Sequence, residues 1–210
     1  VQADVGIAID GDGDRLVMVD HLGRLVDGDR LLYVIALDRQ RQGDLRGPVV
    51  GTVMSNLGLE HALRSEGIEF LRAAVGDRYV LELMKQHGSM LGGETSGHLL
   101  CLDRTTTGDG LVSALQVLAV MKRTGRPLAE LAAGMPQFPQ VMINVKVRSR
   151  INPSESGPIQ AHVRRVEESL GRTGRVVLRA SGTEPLIRVM VEGQDEAVVT
   201  RHANELAETV

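Results

Sequence analysis

The spacing of apolar residues follows two regimes, which change over near Gly134-Met135-Pro136 and Pro139. In the first, Val5-Gly6-Ile7-Ala8-Ile9 reads as a buried strand and Leu16-Val17-Met18-Val19-Asp20 as a second. Leu25-Val26 follows across His21-Leu22-Gly23-Arg24, a hairpin signature with glycine in the turn. Leu31, Val34, Ile35 and Asp38 predict a helix over residues 30–38, and polar residues 40–47 a loop. Strands are then expected at residues 48–54, 68–73 and 89–93. Between them lie a helix capped by Ser55 or Asn56 and stopped at Gly67, and one capped by Asp77 and ended by Gly88. Asp109 caps a further helix over residues 111–123, apolar nearly all round and therefore expected to be buried. Pro127 opens a short helix over residues 128–133. Strands alternating with helices imply βαβ units and a mixed, mostly parallel α/β sandwich domain.

Beyond residue 139 the period becomes two. Val141, Ile143, Val145 and Val147 alternate with polar or flexible residues, as in a strand with one wet face. Ile159, Val163, Val166 and Leu170 form a helical stripe ended by Gly171. Two strands at residues 175–179 and 186–192 flank a polar loop, and Asp195 caps a last helix with Val198, Val199, His202 and Leu206 inward. The pattern predicts a small α+β domain with helices on one face of an antiparallel sheet.

Composition narrows the function classes. The 42% apolar share supports a core, and a net charge of −3 gives no basic surface for nucleic acid. Without Trp, and with two Tyr and two Phe, stacking platforms for single strands are not expected either. The apolar stretch over residues 111–121 is too short for a membrane span. The lone Cys101 fits a reducing, cytoplasmic setting and reads as a small buried hydrophobe. The chain opens on Val, and its first strand has no visible partner before it, so a preceding portion is expected.

The chemistry starts at Asp10-Gly11-Asp12-Gly13-Asp14-Arg15, three carboxylates at alternate positions between two strands. Two like charges ~4 Å apart repel by roughly 4 kcal/mol at an effective dielectric of ~20. A hard divalent cation relieves that repulsion, and Mg²⁺, which keeps sites for water and phosphate, points to phosphoryl chemistry. An EF-hand fails on spacing, because its sixth and twelfth positions would be Arg15 and His21. An acidic turn is the plain alternative.

Gly92-Gly93-Glu94-Thr95-Ser96-Gly97-His98 follows the third strand of the parallel unit, where such sheets place their ligand crevice. Glu94 and Ser96 have the polar groups to fix vicinal sugar hydroxyls, and His98 can donate to a phosphate or move a proton. Arg179-Ala180-Ser181-Gly182-Thr183-Glu184-Pro185-Leu186-Ile187-Arg188 places two hydroxyls around a glycine, between two arginines that can fork onto phosphate oxygens. Its plain alternative is a hairpin whose arginines pair with Glu184 or Glu192. Arg78 and the Thr105–Gly110 stretch are less informative, since capping accounts for both neighbourhoods.

Taken in order, these motifs resemble the α-D-phosphohexomutase superfamily, over essentially all 210 residues. The double glycine before Glu94 and the Thr106-Thr107-Gly108-Asp109-Gly110 stretch favour the branch that interconverts glucosamine 6-phosphate and glucosamine 1-phosphate, in amino sugar biosynthesis. The phosphomannomutase/phosphoglucomutase branch and a non-catalytic sugar-phosphate binding module are the alternatives. The resemblance implies the end of the family's second domain at residues 1–25, the third at 26–136 and the fourth at 137–210. It further implies Mg²⁺ on Asp10, Asp12 and Asp14, with Arg15 neutralising a phosphoserine. Glu94, Ser96 and His98 would be on the sugar, with His98 a candidate proton carrier. Arg179, Ser181, Gly182, Thr183 and Arg188 would be on the distal phosphate. A glucose or glucosamine 1,6-bisphosphate activator belongs to the same implication, and a homodimer is left open. The family's nucleophilic phosphoserine lies in a Ser-His-Asn-Pro type motif of its first domain, and no such motif occurs here. A C-terminal fragment, inactive alone, is therefore expected.

Overall fold

A computed structural model describes residues 2–148, 152–181 and 184–210. The chain divides into two compact units, Val1–Pro136 and Gln137–Val210.

The first unit begins with an antiparallel sheet of β1 (Val5–Ile9), β2 (Leu16–Asp20) and β3 (Leu25–Val26), in that order. Leu16, Met18 and Val26 enter the core, but β1 is not the buried strand its composition predicts: Ile7 and Ile9 are 44% and 40% exposed. Among the described residues β1 is an edge strand that pairs only with β2. Helix α1 (Gly28–Gln42) then runs four residues past the expected end. Arg39 and Arg41 are good helix formers that also complement the negative end of the helix dipole, so the polar segment continues the helix until Gly43 closes it.

The second sheet of this unit holds β4 (Val49–Thr52), β5 (Phe70–Ala73), β6 (Leu91–Gly93) and β7 (Leu99–Cys101), in the order β5-β4-β6-β7. β4 pairs in parallel with β5 and β6, while β7 runs antiparallel to β6. Residues alternate between two cores. Val49, Leu91, Leu99 and Cys101 face the core shared with α1, α2 (Leu57–Ser65) and α4 (Gly110–Thr124). Val50 and Leu100 face α3 (Asp77–His87), through Val80 and Met84. The result is the predicted mixed α/β sandwich. Asn56 caps α2, whereas Asp77 does not cap α3; that role falls to Gly76, with Asp77 as first helical residue. Nor is α4 buried all round: Leu111 and Leu115 are 60% and 53% exposed. Its apolar composition exceeds what its packed face can cover. Cys101 is a core residue, and burial pushes its thiol pKa up. The short α5 (Leu128–Ala132) completes the unit.

The second unit is the predicted α+β domain. Strands β8 (Gln140–Lys146), β9 (Gly174–Ala180) and β10 (Leu186–Gly193) form an antiparallel sheet with β10 central. α6 (Gly157–Leu170) and α7 (Glu196–Thr209) pack on it through Val166, Leu170, Val199, Ala203 and Leu206. No helix among the described residues is long and apolar enough to cross a membrane.

Candidate functional site

The turn from β1 to β2 converges its acids as the spacing predicts. One ligand oxygen from each of Asp10, Asp12 and Asp14 lies within 4.8 Å of the others. Arg15 closes the loop on itself: its backbone N–H donates to Asp10 Oδ1 at 3.1 Å, and its half-exposed guanidinium lies 3.7 Å from Oδ2. Desolvation works against ionisation of Asp10, but the Arg15 N–H and charge, with smaller contributions from Asp12 and Asp14, together hold the carboxyl below its usual range. Asp14 Oδ1 is buried and accepts no hydrogen bond, while Oδ2 lies 3.0 Å from His98 Nδ1. Three converging hard oxygens and one orphaned buried oxygen are a donor set that fits a divalent cation.

His98 ties this loop to the second cluster. The residue is 5% exposed, its ring held against Asp14 on one side and covered by Gly108 on another. Leu16 N–H donates to Gly97 carbonyl at 3.0 Å, and Arg15 and His98 form an isolated antiparallel bridge. Gly110 N–H also donates to Gly13 carbonyl at 2.9 Å, which ties the end of the Thr105–Gly110 stretch to the acidic loop. Residues 94–97 form a turn closed by Gly97 N–H to Glu94 carbonyl at 2.9 Å. Glu94 Oε1 accepts from Gly76 N–H at 3.1 Å, and Ser96 is exposed at the tip. Arg78 turns away to Glu82, at 2.9 Å, with its side chain 80% exposed.

Beneath the turn lies a residue that sequence patterns did not mark. Asp29 is fully buried, and its Oδ2 accepts from Asn56 N–H and Thr95 Oγ1–H, both at 2.8 Å. Burial, with the Asp27 charge adding to it, pushes its pKa up to about 6 against those hydrogen bonds. The folded state therefore binds this proton more tightly than the unfolded chain, whose carboxyl has the ordinary value of 3.8. The stabilisation is complete below 3.8 and is lost as pH rises through about 6. At 1.36 kcal/mol per pH unit, the wild type should lose about 3 kcal/mol relative to Asp29→Asn across that window. Denaturant titrations at several pH values check this; parallel pH profiles for the two proteins would refute it.

In the second unit, Arg179 and Arg188 are direct cross-strand partners on β9 and β10. The glutamates available to neutralise them do not. Glu192 is held by Arg175 at 2.7 Å, and neither Arg179 nor Arg188 forms an ion pair among the described residues. Both Nε atoms are buried, with no hydrogen-bond partner among the described residues. Burial, then the Arg188 charge, lowers the pKa of Arg179. Like charges opposite one another on a sheet destabilise it, and a dianion spanning both would remove that repulsion. Ser181 sits at the mouth of the hairpin, 7% exposed, its Oγ accepting from Glu184 N–H at 3.3 Å. Gly182 and Thr183 lie outside the described residues.

The first unit thus carries a convergent carboxylate loop, and the second a hairpin with two facing arginines. Residues 27–138 match the family domain described as phosphoglucomutase/phosphomannomutase, alpha/beta/alpha domain III, and residues 142–209 match its C-terminal domain. The chain belongs to the phosphoglucomutase/phosphomannomutase family. It is 61% identical over 208 residues to a phosphoglucosamine mutase of Methylococcus capsulatus, covering 99% of this chain and 46% of that one. It is 56% identical over 210 residues to phosphoglucosamine mutase 1 of Shewanella amazonensis, covering 100% and 47%. The chain thus spans about half the length of these curated relatives. Among solved structures, Aspergillus fumigatus N-acetylphosphoglucosamine mutase, crystallised with GlcNAc-6P and magnesium, has a TM-score of 0.80 at 22% identity. The match covers 97% of this chain and 51% of that one, and shows the shared fold.

Proposed function

We propose that this chain supplies the metal, sugar and distal-phosphate loops of a mutase interconverting glucosamine 6-phosphate and glucosamine 1-phosphate, as a cytoplasmic enzyme of amino sugar biosynthesis. The observation that carries the reading is the hydrogen-bonded junction of the acidic loop with the 94–98 turn, which would set a cation beside a sugar hydroxyl. The names of relatives 56–61% identical support the glucosamine branch over mannose and glucose phosphates. Asp10, Asp12 and Asp14 would hold Mg²⁺, which supplies charge neutralisation at a phosphoryl oxygen. Arg15 would add positive charge there. Glu94 and Ser96 would grip sugar hydroxyls in either orientation, Glu94 already fixed by Gly76. Arg179, Ser181, Gly182, Thr183 and Arg188 would hold the phosphate that is not reacting.

In this reading a phosphoserine gives its phosphoryl group to one end of the sugar, forming a 1,6-bisphosphate. The intermediate turns over, and its other phosphate returns to serine; added bisphosphate would act as activator by phosphorylating that serine. Such transfers depend on positioning and charge neutralisation. The 210 residues hold no Ser-His-Asn-Pro segment, so the phosphoryl carrier of this reading lies outside them. His98 fits an orienting role on Asp14 better than that of a free proton carrier, because its Nδ1 is engaged and its ring is covered.

The test is at the arginine hairpin. Each hydrogen bond to a charged partner nets ~1.5–3 kcal/mol, so Arg188→Ala should weaken glucosamine 6-phosphate binding by roughly 10- to 150-fold. Amide-shift titrations of the chain read this directly. An unchanged dissociation constant would make the hairpin a structural feature only.

A further inference from the structure

We infer that Asp29 is the positioning residue of the 94–98 turn: by holding Thr95 it fixes the directions in which Glu94 and Ser96 are presented. The inference rests on the reading of that turn as the sugar loop. Asp29 is the second residue of α1, yet its hydrogen bonds reach 27 and 66 residues along the chain. Thr95 is held twice, by its hydroxyl to Asp29 Oδ2 at 2.8 Å and by its carbonyl from Gly28 N–H at 3.1 Å. Gly28 packs so closely on the turn that a Cβ there would overlap Glu94 carbonyl. Ser96 is exposed, and no hydrogen bond of its side chain is seen among the described residues.

In a four-residue turn the side chains on either side of an anchored residue have little freedom of direction. Glu94 is already tied at Oε1, so anchoring Thr95 leaves Glu94 Oε2 and the Ser96 hydroxyl as the groups presented outward. The use of a carboxylate strengthens the argument. A neutral acceptor would serve two donors without burying a charge, and Asp29 Oδ1 is buried with no hydrogen-bond partner. That is a stability cost, and costs of this kind collect where function needs a group held firmly. A charged acceptor holds its donors about twice as strongly as a neutral one.

Thr95→Val is the probe, because it keeps the shape and removes only the donor. Asp29→Ala would also strip Asn56 N–H of its acceptor, so it serves as a second, harsher variant. The chain is titrated with glucosamine 6-phosphate and separately with inorganic phosphate, and exchange of the Gly97 amide is followed. Thr95→Val should speed that exchange and weaken glucosamine 6-phosphate binding, each about tenfold. Inorganic phosphate binding at residues 179–188 should be unchanged, while the thermal midpoint of the first unit should fall by several degrees. Thr95→Ser, which restores the hydroxyl, should recover both losses. Wild-type exchange and affinity in Thr95→Val, or no recovery in Thr95→Ser, would overturn the inference. If the wild-type sugar phosphate produces no shifts at residues 94–98, the sugar-loop reading itself fails, and the inference falls with it.

Discussion

Purified free of host mutase and given Mg²⁺, a 1,6-bisphosphate and glucosamine 6-phosphate, the 210-residue chain is expected to form no glucosamine 1-phosphate. Every group assigned above binds, orients or neutralises; none can carry a phosphoryl group between the two ends of a sugar. Water cannot replace the carrier, since transfer to water yields free sugar and phosphate, not an isomer. The two serines within the assigned loops are poor substitutes. Ser181 is 7% exposed, and its oxygen already accepts a hydrogen bond from Glu184 N–H. Ser96 is accessible, but it would have to abandon its proposed sugar contact and hold a phosphoryl group with no arginine ion-paired or hydrogen-bonded to its turn among the described residues. Phosphate-ester chemistry is among the slowest without catalysis, so losing the carrier costs the whole measurable rate. Weak binding should survive, because the arginine hairpin stands on its own sheet; near-millimolar affinity corresponds to roughly −4 kcal/mol. A coupled assay of the chain beside its Ser181→Ala variant decides the matter: turnover above that control would sink the claim.

The convergence of the acidic loop was legible in the sequence because its information is local. Alternate acids between two strands converge whatever the rest of the chain does, and the oxygens of Asp10, Asp12 and Asp14 do so. The arginine hairpin was legible for the same reason, since Arg179 and Arg188 flank one short loop. What could not be read were the ties between loops. His98 meets Asp14 across 84 residues, and Asp29 meets Thr95 across 66. A single sequence carries no mark of such pairings, and Asp29 reads as an ordinary acid just before the helix expected over residues 30–38. Strand β7 escaped because three fully buried apolar residues have no period to detect. The exposure of β1 and of one face of α4 escaped for the opposite reason: their composition is apolar, and composition alone does not say which faces find a partner.

Gly97→Ala should be the most damaging single methyl addition between the two loops. Gly97 has a φ of +93°, outside the range that L-residues favour, and a Cβ there would overlap the Leu16 carbonyl. That carbonyl belongs to the first residue of β2, whose N–H donates to Gly97 carbonyl at 3.0 Å. Relief therefore requires the turn to move away from the strand, breaking this bond and the Arg15–His98 bridge together. Strain from the backbone conformation costs about 1 kcal/mol, and forcing an extra carbon into a packed site typically 1–3 kcal/mol more. The first unit should lose about 2–4 kcal/mol in all. Gly43→Ala is the natural control, with a φ of +73° and open space around it, and should show only the conformational cost of about 1 kcal/mol. Because His98 also meets Asp14, the displaced turn should loosen the acidic loop, so Gly97→Ala should weaken Mg²⁺ binding as well while Gly43→Ala leaves it alone. Denaturant midpoints and Mg²⁺ titrations of the two variants test both halves of the expectation. Equal destabilisation by the two substitutions would mean that the turn has room to yield, and unaltered Mg²⁺ affinity in Gly97→Ala would mean that the two loops are neighbours without being coupled.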